Sequence, residues 1–310
     1  MQESNFSFLI LNYRNVEETI KCIESIKDAG YKNSSIIIVD NGSADGSYEK
    51  ICDLYQGVED IYIIKSDANL GFSGGNNLGY TFIRENLNPD FLVVTNNDVL
   101  FPQKDMLSRI QNNYQQTNFY VLGPDIYVRK NHEHQSPMML NLPSKEDIEK
   151  ELHMYEFYLK NPDQWVTRRK AQTIKNRMCQ SNAVIRNVYN AIKRKRTIDY
   201  SRYYENCCVQ GACIIVSKKY IKAEEKMFTP ETFLYCEELL LYKKCMNKNY
   251  LMVYDPEIQI WHEDSSTMKK INANALEKAK FTLPHHVKAL EIVLDKYETA
   301  EMDANEQQKK

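Results

Sequence analysis

Residues 6–43, FSFLILNYRNVEETIKCIESIKDAGYKNSSIIIVDNGS, set the reading of the whole chain. Phe6 to Leu11 and Ile36 to Val39 are short runs of β-branched and apolar residues, the pattern of strands buried on both faces. Between them Val16, Ile20, Ile23 and Ile26 recur at helical spacing, and Gly30 stands where a left-handed residue would end the helix. The alternation continues outward. Ile61 to Ile64 and Phe91 to Thr95 repeat the strand pattern. Tyr48, Ile51, Cys52 and Tyr55 give the second connection one apolar helical face, and the third runs from Gly75 to about Asn86. This βαβαβαβ order predicts an α/β fold with a mostly parallel central sheet flanked by helices, and ligands at the carboxyl ends of its strands. The residues after each strand are therefore the ones to inspect: Asn12-Tyr13-Arg14, Asp40-Asn41-Gly42-Ser43, Ser66-Asp67-Ala68-Asn69 and Asn96-Asn97-Asp98.

The chain has 310 residues, 43% of them hydrophobic, enough to bury one large core or two small ones. Its formal charge of -2 points neither to nucleic acid nor to an acidic substrate. The start lacks a basic region before its apolar run, and Asn12 and Arg14 end that run early, so export is not expected. No stretch reaches the roughly 18 apolar residues of a membrane span, so the expected place is the cytoplasm, with peripheral attachment to the inner membrane face as an option. The eight cysteines are irregularly spaced and several lie in apolar runs, which reads as reduced core thiols rather than a disulfide framework. His132, His134, His285 and His286 read as surface residues.

From about residue 126 to 205 the strand pattern lapses into polar, Tyr-rich and finally basic sequence. Four segments follow: residues 1–125, a largely helical basic insertion at 126–205, a second half at 206–268 opened by GACIIV, and a helical tail at 269–310. Within the insertion, residues 164–198 hold ten Lys and Arg and no Asp or Glu. Interleaved apolar residues such as Trp165, Val166 and Ile174 would give an amphipathic face suited to an anionic membrane surface, or to packing on the rest of the chain. RNA binding would need an aromatic recognition sheet, which is missing, so no nucleic acid partner is expected.

A dinucleotide-binding fold would place GxGxxG after the first strand, where this chain reads NYRN, and the glycine-rich NLGFSGGNNLG has no GK[ST] to make a P-loop. In their order and spacing, ILNYRN, VDNGSADGS, NLGFSGGNNLG, TNNDV, GACIIV, FLYCEELLL and the terminal WH resemble the family 2 glycosyltransferases. Within them the likeness is to the bacterial subgroup with rhamnosyltransferases and galactofuranosyltransferases. It spans roughly residues 6–125 and 206–268.

The resemblance implies a GT-A fold and an inverting, metal-dependent transfer of a hexose from a dTDP- or UDP-sugar to a saccharide or lipid-diphosphate-linked acceptor, in cell-surface polysaccharide assembly. Asp98 matches the last aspartate of the family's DxD motif and would hold Mg²⁺ or Mn²⁺, with His262 as a further ligand. Asn96 departs from DxD by carrying no charge. Asp40 matches the carboxylate that meets the pyrimidine ring. Asn69, Gly71, Gly74, Gly75 and Asn76 match the donor loop, with Asn12, Asn41, Asn96 and Asn97 at neighbouring strand tips. Glu237 and Glu238 match the acidic pair whose second member is the catalytic base, so Glu238 is the candidate. Leu240 stands where the family often has a further aspartate. With Asn96 it motivates the alternative of a non-catalytic nucleotide-sugar-binding or scaffold protein.

Overall fold

The computed structural model describes residues 4–181, 198–263 and 274–307. They form two compact units, one of residues 1–142 and 200–270 and one of residues 143–199 and 271–310. This division differs from the expected boundaries: residues 126–142 belong with the sheet, and the middle segment shares its unit with the C-terminal tail.

The first unit is built on a ten-stranded sheet among the described residues. Strands β1 (Phe6–Asn12), β2 (Ser34–Asp40), β3 (Ile61–Lys65) and β4 (Phe91–Asn96) are joined by helices α1 (Val16–Ala29), α2 (Ser47–Tyr55) and α3 (Gly71–Asn86), as the hydrophobic pattern predicts. After β4 come β5 (Val99–Leu100), α4 (Met106–Thr117), β6 (Val121–Val128) and β7 (Glu133–His134). The unit resumes with β8 (Tyr204–Glu205) and β9 (Cys213–Ser217). The strand order is β3-β2-β1-β4-β9-β6, continuing to β10 (Met252–His262) and β5, with β7 on β6 and β8 on β10. Pairing is parallel across β3-β2-β1-β4 and between β6 and β10, and antiparallel at β9, β5, β7 and β8. The α/β sheet flanked by helices is as expected, with a parallel part that becomes mixed where β9 returns beside β4 without a βαβ crossover.

Local chemistry explains the framing helices. In α1, Val16, Cys22, Ile23 and Ile26 are buried, Glu17 and Glu18 occupy the first turn, Lys27 the last, and Gly30 caps it at φ 68. Helix α3 packs closely on the sheet because it carries glycine where it crosses β1 and β2: a Cβ at Gly79 would collide with Leu9 and Val39. Two apolar layers enclose the sheet, one under α1 and α4 and one under α3 and a further helix, Glu237–Lys248. Numbering the short helix Lys218–Ala223 as α7 makes that further helix α8.

The second unit is helical, with α5 (Lys145–Lys160), α6 (Pro162–Ser181) and α9 (Ala275–Gln307). Ile148 and Tyr155 of α5 and Ala279, Leu283, Val287, Leu290 and Val293 of α9 form its buried seam at helical spacing. His286 lies in that seam, stacked on Tyr155 at 4.3 Å, rather than on the surface. Burial, with Arg169 nearby, pushes its imidazole down to about 4. Most of the basic stretch 164–198, and with it the proposed amphipathic face, lies outside the described residues or side chains; Ile174 of α6 is exposed. No described helix is long and apolar enough to cross a membrane. The seven described cysteines are free thiols.

Candidate functional site

The polar strand tips converge as the α/β pattern requires, but they divide into two groups. The first holds the framework. Asn12 and Asp40 are register partners at the ends of β1 and β2. Asn12 Nδ2 donates to Asp40 Oδ2 at 2.7 Å, the Ser43 amide donates to Asp40 Oδ1 at 2.9 Å, and Thr19 Oγ1 donates to Asn12 Oδ1 at 2.8 Å. Asn97 Nδ2 joins the network through Thr19 Oγ1 at 3.0 Å and the Asn15 carbonyl at 3.1 Å. Asp40, expected to meet a pyrimidine ring, is wholly buried with both oxygens engaged, so in this conformation it closes the turn after β2.

The residues expected to form a donor loop are likewise tied to one another. Asn41 Nδ2 donates to Asn69 Oδ1 at 3.1 Å and to the Gly71 carbonyl at 2.9 Å, while its Oδ1 accepts from the Leu70 amide at 3.0 Å. Asn69 Oδ1 accepts the Gly71 amide at 2.9 Å. The glycines serve contacts within the protein: a Cβ at Gly75 would lie 2.5 Å from Leu11 Cδ1, and one at Gly74 would lie 2.9 Å from Leu70 Cβ. Gly71, at φ 74, lets the chain pass against the Phe233 backbone. Asn76 is buried; its Nδ2 donates to the Phe72 carbonyl at 2.9 Å, and its Oδ1 has no hydrogen-bond partner among the described residues.

The second group faces the end of the sheet. Asp98 follows β4 directly, and His262 closes β10 opposite Val99. His262 Nε2 lies 3.2 Å from Asp98 Oδ1, and the Glu263 amide donates to the Asp98 carbonyl at 3.0 Å. Residues 164 positions apart are thereby joined, with both side chains under a tenth exposed. The other ring nitrogen, His262 Nδ1, lies 2.7 Å from Gln135 Oε1. Asn96 is half-exposed at the tip of β4.

Glu237 and Glu238 open α8 after two consecutive left-handed residues, Tyr235 at φ 77 and Cys236 at φ 64. Such backbone costs roughly 1–3 kcal/mol per residue and is held only by surrounding contacts. Those contacts come from α3: the Phe72 amide donates to the Phe233 carbonyl at 2.7 Å, Ser73 Oγ and Thr232 Oγ1 are 3.1 Å apart, and Asn77 exchanges two 2.9 Å bonds with the Phe228 backbone. The loop that carries the acidic pair is thus clamped to α3. Glu237 is 5% exposed, and its carboxyl is pushed up to about 8, first by burial and then by the charge of Glu238. Its Oε1 has no hydrogen-bond partner among the described residues. Glu238 is less enclosed; its Oε1 accepts the Gly211 amide at 3.0 Å, which favours the charged form while burial raises the carboxyl above its usual range. Leu240 is buried, so the position where an aspartate was expected adds nothing polar here.

Gly211, Gln135 and Asn77 are among the contributors not singled out from sequence. Gly211 lies in the GACIIV motif but carries no side chain to draw attention. Gln135 lies in a stretch that reads as insertion, and Asn77 is the second asparagine of the SGGNN run.

Comparison with known proteins places this architecture. The model of "Glycosyl transferase family 2" matches residues 7–223. A hexosyltransferase of low-salt glycan biosynthesis from Haloferax volcanii, Agl10, is 31% identical over 126 residues, which are 41% of this chain and 38% of that protein. The chain therefore matches well under half the length of that relative. Among solved structures, the mannosyltransferase PcManGT from Pyrobaculum calidifontis, in complex with GDP-Man and Mn²⁺, superposes with a TM-score of 0.52 at 10% identity. That superposition covers 97% of this chain and 76% of the other, a likeness of fold.

Proposed function

From the premise that this chain belongs to glycosyl transferase family 2, we propose that it is an inverting, metal-dependent hexosyltransferase using a nucleoside diphosphate sugar. The observation that carries the reading is the Asp98–His262 pair at the end of the sheet. No group of three or more His, Cys, Asp or Glu suited to a metal is present among the described residues. Two protein ligands nevertheless fit Mg²⁺ or Mn²⁺ in a transferase, because such ions are commonly held by one or two side chains plus substrate phosphates and water. The 3.2 Å between Asp98 Oδ1 and His262 Nε2 also fits, since adjacent ligands about 2.1 Å from an octahedral ion lie about 3 Å apart.

The bound ion would supply positive charge to the departing diphosphate. The remaining work belongs to the chain. Glu238, held by the Gly211 amide, accepts the proton of the acceptor hydroxyl as its oxygen bonds to the anomeric carbon and the bond from that carbon to the diphosphate oxygen breaks. Attack opposite the leaving group inverts the centre, and the proton ends on Glu238. Burial, and then the charge of Glu238, raise the Glu237 carboxyl and favour its neutral form, which limits the negative charge beside the reaction.

The donor base is proposed to be a pyrimidine and the acceptor a saccharide or a lipid-diphosphate-linked saccharide of a cell-surface polymer. A pyrimidine contact at Asp40 would require the Asn12–Asp40–Ser43 turn to open, so thermal shift with UDP, TDP and GDP is the direct comparison. Attachment to anionic membrane through residues 164–198 is proposed as well. Its test is co-sedimentation with anionic and neutral vesicles at two salt concentrations, and equal recovery in both supernatants refutes it.

The decisive experiment is release of nucleoside diphosphate from a panel of nucleotide sugars with Mn²⁺, Mg²⁺ or EDTA. Donor turnover that depends on the ion supports the enzyme. Nucleotide binding with no turnover under any condition supports a binding-only protein instead.

A further inference from the structure

We propose that Gln135 is the positioning residue that sets the tautomer of His262, keeping its Nε2 lone pair turned to Asp98 as one half of the cation site. The inference rests on the metal-dependent reading above and adds a residue that the motif pattern did not contain.

His262 has both ring nitrogens engaged, with Gln135 Oε1 at 2.7 Å from Nδ1 and Asp98 Oδ1 at 3.2 Å from Nε2. A carbonyl-type oxygen can only accept, so the Gln135 contact requires the proton on Nδ1. The lone pair is then on Nε2, facing a carboxylate that also offers lone pairs. Two acceptors turned toward each other repel unless a proton or a cation lies between them, and that is the arrangement a divalent ion stabilises. With the amide turned over, Gln135 would donate to Nδ1, the proton would move to Nε2, and His262 would serve only as a hydrogen-bond donor to Asp98.

Gln135 is well placed to impose the first arrangement. Its amide donates to the Ile126 carbonyl at 2.9 Å, and the preceding residue, His134, is paired with Tyr127 in the sheet. His134 Nδ1 is in turn 2.7 Å from the buried Asp125 carboxylate, and Ser136 on the other side is fully buried. The side chain therefore projects from backbone anchored on both sides. A partner outside the ligand shell that orients a metal-binding histidine is typically worth about 10–100-fold in metal affinity.

The test uses the full chain, with Gln135→Met to remove the acceptor at similar volume and Gln135→Glu to retain it. Long-range ¹H–¹⁵N spectra of the protein saturated with diamagnetic Mg²⁺ report which nitrogen of each imidazole bears the proton, and His262→Gln identifies the His262 signals. Mn²⁺ binding, alone and with UDP, is followed by the electron paramagnetic resonance of the free ion. The expected result is an Nδ1–H tautomer at His262 in the parent chain. Mn²⁺ affinity should fall about 10–100-fold in Gln135→Met and stay within about threefold in Gln135→Glu. An Nε2–H tautomer or a doubly protonated ring in the parent chain overturns the inference, as does unchanged Mn²⁺ affinity in Gln135→Met. Should Gln135→Met fail to fold, the parent tautomer still decides. A parent chain that binds no Mn²⁺ under either condition refutes the metal reading itself, whereas normal Mn²⁺ binding with the wrong tautomer refutes Gln135 alone.

Discussion

Gly211→Ala isolates the placement of Glu238, the proposed catalytic base, from everything else. The Gly211 amide donates to Glu238 Oε1 at 3.0 Å, and a Cβ at position 211 would stand 2.5 Å from that oxygen, 3.1 Å from Cδ and 3.2 Å from Cγ. Gly211 is not in the left-handed region, so the added methyl group brings contact without backbone strain. Reaching an ordinary separation of about 3.4 Å moves the carboxylate back by roughly 0.9 Å, enough to break the hydrogen bond. A displacement of that size at a reacting group costs on the order of a hundredfold in rate. Nothing in the substitution touches Asp98, His262 or the loop after β3, so nucleotide affinity should be unchanged.

The assay is initial-rate release of nucleoside diphosphate, with donor affinity from calorimetry, on Gly211→Ala, Glu238→Gln and the double variant. The expected outcome is a kcat reduced about 10–100-fold in Gly211→Ala with donor affinity within about twofold. Because both residues act through one carboxylate, the second substitution should add little to the first. A Gly211→Ala enzyme with near-normal kcat refutes the placement argument. Full additivity in the double variant would show that Gly211 acts elsewhere.

Glu238→Gln should keep donor binding and lose at least about a hundredfold in turnover, measured by single-turnover kinetics, because it removes the proposed base. Asp98→Ala and EDTA should each abolish transfer, and activity persisting in EDTA would contradict the metal reading. Glu237, raised to about 8 in the folded chain from an ordinary carboxylate value in the unfolded one, binds its proton more tightly when folded. Its contribution to stability is therefore present at acid pH and lost as pH rises through about 8, so Glu237→Gln should gain melting temperature relative to the parent between pH 5 and 8.5. A difference that is flat with pH would show Glu237 to be ionised throughout. Asn77→Ala leaves the buried Phe228 amide and carbonyl without their side-chain partner, and urea unfolding should show a loss of about 2–4 kcal/mol.

The parallel part of the fold was legible because each of β1 to β4 is a short run of β-branched and apolar residues ended by a polar tip. Its first helix, α1, shows its cap in Gly30, at φ 68. Beyond residue 120 the same method fails for physical reasons. Strand β6 reads VLGPDIYV, with Gly123 required where Val209 presses on the sheet and Pro124 lacking an amide to donate. Its sequence looks like a break while its backbone continues the sheet, so the expected start of the insertion, residue 126, falls inside β6.

The site shows a sharper limit. Asp98 and His262 are 164 residues apart, and no local pattern joins them; only the order of motifs did. Asp40 illustrates the opposite case, a polar residue at a strand tip whose position is that of a ligand contact while its oxygens are spent on Asn12 and Ser43. Sequence fixes the position of such a carboxylate but not the direction in which its lone pairs are used, because a turn and a ligand compete for the same acceptors. For the glycines the deciding signal was present in the spacing. Gly71, Gly75 and Gly79 fall at i, i+4 and i+8 of α3, one stripe of a helix, whereas a loop that wraps phosphate needs no such period. Read by period rather than by composition, that stripe says that α3 lies unusually close to its neighbours. The contacts of Gly75 with Leu11, of Gly79 with Leu9 and Val39, and of Gly71 with Phe233 are what that closeness consists of.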